Sequence, residues 1–375
     1  MSVIENITEW LLTATKTATL DIGSSTLRWA YGEIHQQKPS LMLFRSCRAP
    51  SITFLPPQTG SRVNSNELAE LLQSIVQTKY GLEQYAAVIL PDQAFHFGSI
   101  SVPSAAGKTS LLPLLERDIQ KSAAFPCSSY VIKHETGKIK AGRLTVQYCA
   151  LPVQLLEDVQ RACRQARIIP VSVQPSFTGL FRLLVQHQTI SDHPSVFLHI
   201  GNESTTMGIY EKAGLRSVNL IDFGVQNLID AASQELKCDI DSAVQTLFHE
   251  PLLLEDPGAS EAQREILAFG AVESLLADFL QKIYGQLLLF TSENSEESGY
   301  SKIVISGGGA LIKNLDRLIT FNLGIPASTI SNELKQLASI PGLPAQERLE
   351  TLAPALGNIS MQPVRRDRFD RVMAS

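Results

Sequence analysis

With 375 residues, 44% of them apolar and 18% charged, the chain is long enough for two domains, or two related lobes, around a sizeable core. A formal charge of -5 excludes the clustered basic surplus of a nucleic-acid binder. Five scattered cysteines with no CxxC pair and no histidine at ligand spacing exclude a structural zinc site and read as the buried thiols of a cytoplasmic protein.

Residues 3–12 put Val3, Ile4, Ile7, Trp10 and Leu11 on one helical face. The opposite face carries Glu5 and Glu9 and no basic group, which favours packing on the body or a partner over an anionic membrane. No apolar run approaches the ~20 residues of a spanning helix, and no basic segment precedes an apolar one at the N-terminus. The expectation is a soluble, cytosolic protein. Residues 20–32 then read as strand, tight turn and strand, followed by an irregular Pro/Ser/Gly-rich link over 50–62. A helix is predicted over 66–79, a buried strand over 86–90 stopped by Pro91, and a further strand over 95–102. Next come a helix over 109–124 ended by Phe125-Pro126-Cys127, and strands over 129–134 and 144–151 with Gly137 and Gly142 bracketing their turn. A helix over 154–167 leads into an apolar strand over 168–173.

A second strand-turn-strand at 198–210 repeats the first. Leu20-Asp21-Ile22-Gly23-Ser24-Ser25 and Leu198-His199-Ile200-Gly201-Asn202-Glu203 both turn at an Ile-Gly followed by small or polar residues, and both resume an apolar strand that carries a tyrosine. Such a duplication predicts two related halves facing each other across a ligand cleft. Helices are expected over 224–237 and 239–249, a loop over 250–260, and one or two long helices over 262–292 joined by an acidic tip (292–299) to a buried strand. That strand runs into Ser306-Gly307-Gly308-Gly309 and a helix. Residues 349–356 read as helical with a break at Pro354. The tail holds Arg365, Arg366, Arg368 and Arg371 and reads as a solvated terminus.

The Gly-Ser-Ser turn exposes backbone N–H groups suited to phosphate oxygens. Asp21, at the strand end beside it, has the chemistry to hold Mg²⁺ through water. Gly201, Ser204 and Thr205 can supply a matching clamp from the other half. Gly307, Gly308 and Gly309 allow close backbone approach to a ring or a phosphate.

In this order and spacing the residues resemble the actin-like ATPase superfamily. Asp21-Ile22-Gly23-Ser24-Ser25 resembles its first phosphate motif, 199–206 its second, and 303–311 its adenosine motif. Within the superfamily the chain is similar to the type IV pilus assembly protein PilM family, relatives of the cell-division protein FtsA. The stretches 117–126, 169–175, 221–230 and 349–357 carry the likeness, which runs from about residue 19 to 360. The resemblance implies an α/β, actin-like (ribonuclease H-like) two-lobe fold with a duplicated core and a small inserted α/β subdomain. It divides the chain into an N-terminal amphipathic segment (1–18), lobe I core (19–84), inserted subdomain (85–152) and lobe I return (153–190). Then follow lobe II core (191–240), its helical subdomain (241–299), a closing part with the adenosine motif (300–360) and a basic tail (361–375).

The same resemblance implies a degenerate site for ATP and Mg²⁺, with no catalytic residue assigned. Nucleotide would contact Asp21, Gly23, Ser24, Ser25, His199, Gly201, Ser204, Thr205, Gly307, Gly308, Gly309 and Leu311, and Asp21 would be the metal ligand. Two departures weaken the pattern. The family opens its second phosphate motif with an acidic residue where this chain has His199, which if protonated would pair directly with phosphate. The family's ribose-lining helix carries an acidic residue and a lysine, and the stretch 243–247 has neither. The function implied is a cytoplasmic assembly scaffold of a type IV pilus or related secretion platform, peripheral to the inner membrane. Its partner would be the N-terminal peptide of a bitopic, PilN-like protein, bound near residues 85–150, with self-association left open. A sugar or acyl kinase on the same fold is the alternative, and an FtsA-like membrane-tethered filament protein a third, disfavoured by the short, poorly apolar tail.

Overall fold

Two five-stranded sheets of identical connectivity form the frame. In the first, β1 (Lys16–Ile22) is antiparallel to β2 (Thr26–His35), which is antiparallel to β3 (Lys38–Arg48). On its other side β1 runs parallel to β4 (Gln84–Leu90), and β4 parallel to β8 (Ile168–Pro175). The second sheet repeats this with β9 (Ser195–Ile200), β10 (Thr205–Glu211), β11 (Gly214–Ile221), β12 (Ile303–Ser306) and β13 (Ala327–Thr329), in the order β11-β10-β9-β12-β13. The computed structural model describes residues 16–35, 38–49, 54, 63–76, 84–104, 111–122, 126–140, 142–187, 193–212, 214–249, 262–293, 299–337 and 340–359. The predicted helix over 3–12, the link over 50–62, the loop over 250–260, most of the acidic tip and the arginine tail lie outside the described residues.

The duplication read from the sequence is a duplication of geometry. Ile22 pairs with Leu27, and Ile200 with Thr205. Each hairpin is closed by the same bond: Gly23 N–H donates to the Thr26 carbonyl at 2.9 Å, and Gly201 N–H to the Ser204 carbonyl at 2.9 Å. Two-residue turns result, Ser24-Ser25 in one sheet and Asn202-Glu203 in the other. The central parallel strands are uninterrupted apolar runs because both of their faces are covered; residues 86–90 and 303–306 are all buried.

Helices flank each sheet: α1 (Ser65–Ile75) and α3 (Val153–Gln165) on the first, α5 (Val225–Leu236), α6 (Ile240–His249), α7 (Ala262–Glu293) and α8 (Leu315–Leu323) on the second. Residues 262–292 lie in one helix. Between β4 and β8 the chain makes a small sheet, β5 (His96–Pro103), β7 (Arg143–Pro152) and β6 (Tyr130–Lys140), with α2 (Leu112–Ser122) across it. Alternate residues Leu144, Val146, Tyr148 and Ala150 of β7 meet Leu115 and Ile119 of α2 in its core. Gly137 lies within β6, at the irregularity between Thr136 and Ile139, so it does not bracket the turn as expected. Gly142, at φ +73°, makes that turn.

A third core belongs to both sheets. It joins Ile89 of β4 with Phe197, Tyr210 and Val304 of the second sheet and with Ile330 of the one-turn α9 (Ile330–Glu333), through α4 (Ser176–Gln186) and α10 (Leu349–Ile359). The two helices cross with backbones touching. A methyl group on Gly357 would overlap the Gly179 carbonyl, and one on Gly179 would overlap that of Pro354. Pro354 does not break α10 as expected; the helix continues to Ile359. The carbonyl that proline leaves without an intrahelical donor, that of Glu350, accepts instead from the Gly307 N–H at 2.8 Å.

Candidate functional site: the cleft between the sheets

The carboxyl ends of the parallel strands of both sheets face one cleft of about 570 Å³, where ligands bind in open α/β sheets. Its polar end is built from strand register. Asp21 and His199 are the penultimate residues of β1 and β9 and occupy equivalent places. Across each hairpin, Asp21 pairs with Arg28 and His199 with Thr206. Arg28 Nη1 donates to Asp21 Oδ2 at 3.2 Å. Burial pushes the Asp21 carboxyl above its ordinary range, while Arg28 and then His199 pull it back down.

His199 takes up Ser306, its neighbour on β12, with Nδ1 and Oγ 3.0 Å apart. Burial lowers the His199 pKa, and the nearby Asp92 and Asp21 offset only part of this. Burial thus favours the neutral imidazole, and the Ser306 hydroxyl is its partner in the cleft.

Asp92, in the 3₁₀ turn Asp92–Ala94 after β4, is buried between the lobes. Its Oδ1 accepts the Phe177 N–H at 3.1 Å in the first turn of α4, and its Oδ2 accepts the Thr206 hydroxyl at 2.5 Å. Next to it, Gln93 Nε2 donates to the Phe54 carbonyl at 3.0 Å and to the Glu203 carboxylate of the second hairpin turn. That turn also caps α5: the carbonyls of Gly201 and Asn202 accept the N–H groups of Val225 and Gln226 at 3.0 and 2.8 Å.

The three glycines of 307–309 do different things. Gly307 has φ +85°, and a methyl group there would overlap the Ile200 carbonyl; one on Gly309 would overlap the Ile200 side chain. These two let the turn lie flat on β9. Gly308 has only the Val225 side chain nearby, at 3.8 Å, and it lines the cleft. The far wall is apolar, with Val225 and Ile229 of α5 and Ile240, Val244 and Phe248 of α6; Asp241 of α6 also lines it.

Of the residues singled out in the sequence, Asp21, Gly23, Ser24, Ser25, His199, Gly201, Ser204, Gly307 and Gly308 line the cleft. Thr205, Gly309 and Leu311 are not among its lining residues. The Thr205 hydroxyl donates to the Phe223 carbonyl at 2.7 Å, and Thr206, on the opposite face of β10, lines the cleft in its place. Sequence reasoning misses Arg28, Asp92 and Asp241. Arg28 is findable once the turn is set at Ser24-Ser25, because a two-residue turn puts it opposite Asp21. Asp92 directly follows a buried strand stopped by a proline, a position at the carboxyl edge of a sheet. Asp241 lies two residues before the stretch 243–247, on the same helix.

These residues do not make a Mg²⁺ site. Mg²⁺ is held by free carboxylates with retained water and phosphate oxygens. At the polar end Asp21 is tied to Arg28, both Asp92 oxygens accept protein donors, and Glu203 accepts from Gln93. Among the described residues no group of three or more His, Cys, Asp or Glu is arranged to hold a metal ion.

No protein-family model matches the chain, and neither does any curated protein. Solved structures do. A chain of the PilM-PilN type IV pilus biogenesis complex matches with a TM-score of 0.70 at 18% identity, over 92% of this chain and 97% of that one. The ethanolamine utilization protein EutJ from Carboxydothermus hydrogenoformans matches with a TM-score of 0.51 at 11% identity, over 92% and 89%. The fold is actin-like. The likeness to PilM that the motifs carry thus extends to the architecture of nearly the whole chain, and the cleft described above is the cleft between the lobes of that fold. Among the described residues no helix is long and apolar enough to cross a membrane.

Proposed function

We propose that this chain is a PilM-like cytoplasmic assembly protein of a type IV pilus or related secretion platform, which captures the N-terminal peptide of a bitopic, PilN-like inner-membrane partner. The observation that carries this reading is the match to PilM in its complex with PilN, which takes in 97% of that chain and so includes the small subdomain as well as the lobes. The surface of that subdomain supports it. Strand β6 is an outer strand of the small sheet, and Leu112, Leu114, Val131 and Ile139 are exposed apolar side chains on α2 and β6. Extended peptides are captured by such open edges flanked by apolar side chains.

The cleft would take an adenosine nucleotide as a wedge between lobes. Polar hairpin turns at one end and an apolar wall at the other suit phosphates and a base, and the volume lies in the range of ligand pockets. A phosphotransferase is less well supported. The carboxylate best placed to act as a base, Asp92, already accepts from Phe177 and Thr206, and phosphoryl transfer needs a residue able to orient and deprotonate the acceptor.

The test is fluorescence anisotropy with a labelled peptide copied from the N-terminal cytoplasmic segment of a bitopic PilN-like protein of the same genome. Saturable binding that Val131→Asp and Leu114→Asp weaken at least tenfold would support the reading. Absence of binding by the folded protein, or binding indifferent to both substitutions, would sink it.

A further inference from the structure

The disagreement between this cleft and a magnesium site has a direct chemical consequence. We propose that the cleft binds adenosine di- or triphosphate without a divalent cation, with the Arg28 guanidinium standing where the metal would neutralise the phosphates. This rests on the reading of the cleft as a nucleotide site and specifies what that site requires.

Three observations carry it. First, Arg28 lines the cleft at its polar end, beside the Ser24-Ser25 turn, with its side chain 15% exposed. It spends one nitrogen on Asp21, and its Nε–H is buried with no hydrogen-bond partner. A buried, unpaired guanidinium donor is costly, and the planar fork of arginine is well matched to phosphate oxygens. Second, Arg48, the cross-strand partner of Thr26 beside the turn, also lines the cleft, which adds a second cation to its lining. Third, each carboxylate at the polar end, Asp21, Asp92 and Glu203, is engaged by a protein donor. A divalent ion at Asp21 would also have to displace Arg28 and sit beside its positive charge, which is strongly unfavourable at a few ångströms. At the apolar end, Ile229, Val244 and Phe248 offer a surface for the base, with Asp241 at the same wall.

The experiment is calorimetric titration of the full-length protein with ATP, in EDTA and in excess MgCl₂, with the PilN-like peptide titrated into the same preparations. ATP affinity within about twofold in the two buffers is expected. Asp21→Asn, which keeps a hydrogen-bond acceptor but frees the arginine from its ion pair, is expected to bind ATP in EDTA as well as or better than the parent. The double variant Asp21→Asn/Arg28→Gln replaces the ion pair with a neutral pair, so that no buried charge is stranded, and is expected to bind about tenfold more weakly or worse. Circular dichroism checks that both variants are folded. Binding that requires Mg²⁺, or that Asp21→Asn abolishes in a folded protein, would overturn the proposal. Absence of ATP binding in both buffers would overturn it too, and peptide capture in that preparation would leave the platform reading standing.

Discussion

Gly307 donates its amide to the carbonyl of Glu350 at 2.8 Å, and the bond exists because Pro354 has no N–H to give. Four residues along α10, proline leaves that carbonyl open, and the glycine turn after β12 fills it. A helix that crosses behind both lobes is thereby fastened to the turn that lines the cleft. Pro354 and Thr351 line the cleft themselves.

Replacing Pro354 by alanine tests this fastening. The new N–H would compete for the Glu350 carbonyl, so the helix gains a bond and the turn loses one. The expected result is faster hydrogen exchange in a peptide covering 303–311, with little change in global stability. Unchanged protection there would mean that the bond does not hold the turn.

Gly307→Ala is a harsher change, because alanine at φ +85° is strained and its methyl group would overlap the Ile200 carbonyl. A loss of about 1–3 kcal/mol is expected in denaturant melts. Gly308→Ala, whose methyl group would meet only the Val225 side chain at ordinary contact distance, is expected to cost much less, and equal losses would refute the division of labour among the three glycines.

The helix crossing makes a similar contrast. Gly357→Ala would overlap the Gly179 carbonyl of α4, whereas nothing lies within 4 Å of a methyl group on Gly285 in α7. The first is expected to destabilise by about 1–3 kcal/mol. The second is expected to stabilise by about 0.5–1 kcal/mol, through helix propensity alone. Thermal melts of the two variants should therefore move in opposite directions.

Much of this architecture is legible in the sequence, for local reasons. The hairpins at 20–32 and 198–210 announce themselves because a glycine at a tight turn between apolar strands is a short-range signal. The run 86–90 reads as a buried strand because five apolar residues stop at a proline. What cannot be read is phase and partnership. Whether Thr205 or Thr206 faces the cleft depends on register, since one residue of slip exchanges the faces of a strand. The place of Asp241 beside the cleft depends on how α6 packs against α5, which no local pattern encodes. The continuity of α10 through Pro354 depends on Gly307, which is distant in sequence.

Asp92 joins the lobes through two bonds of different kinds, to the Phe177 amide in its own lobe and to the Thr206 hydroxyl in the other. Asp92→Ala is expected to cost about 2–3 kcal/mol, as hydrogen bonds to a buried charged group are lost. A double-mutant cycle with Asp92→Ala and Thr206→Val isolates the contact between lobes, with a coupling of about 1 kcal/mol expected. A coupling near zero would mean that the lobes meet there without an energetic link.

The same cleft gives the protein a pH dependence whose sign follows from burial. His199 has its pKa lowered from 6.5 in the folded state, so below about pH 6.5 the unfolded chain binds a proton that the folded one refuses. Stability from this group is present above that pH and is lost as pH falls through the folded-state pKa, with a slope of at most about 1.4 kcal/mol per pH unit. His96, half-buried beside Tyr148, is shifted in the same direction by burial, so the informative quantity is the difference between the parent and His199→Gln. Asp21 acts oppositely. Its pKa is raised from 3.8, so the folded state takes up its proton first, and its contribution grows as pH falls through the raised value toward 3.8. Denaturant melts between pH 7.5 and pH 5.5 should show the parent losing stability on acidification and His199→Gln losing less. Parallel curves would mean that folding leaves the proton affinity of His199 unchanged, whereas a parent that gains stability relative to His199→Gln on acidification would mean that the fold favours the imidazolium.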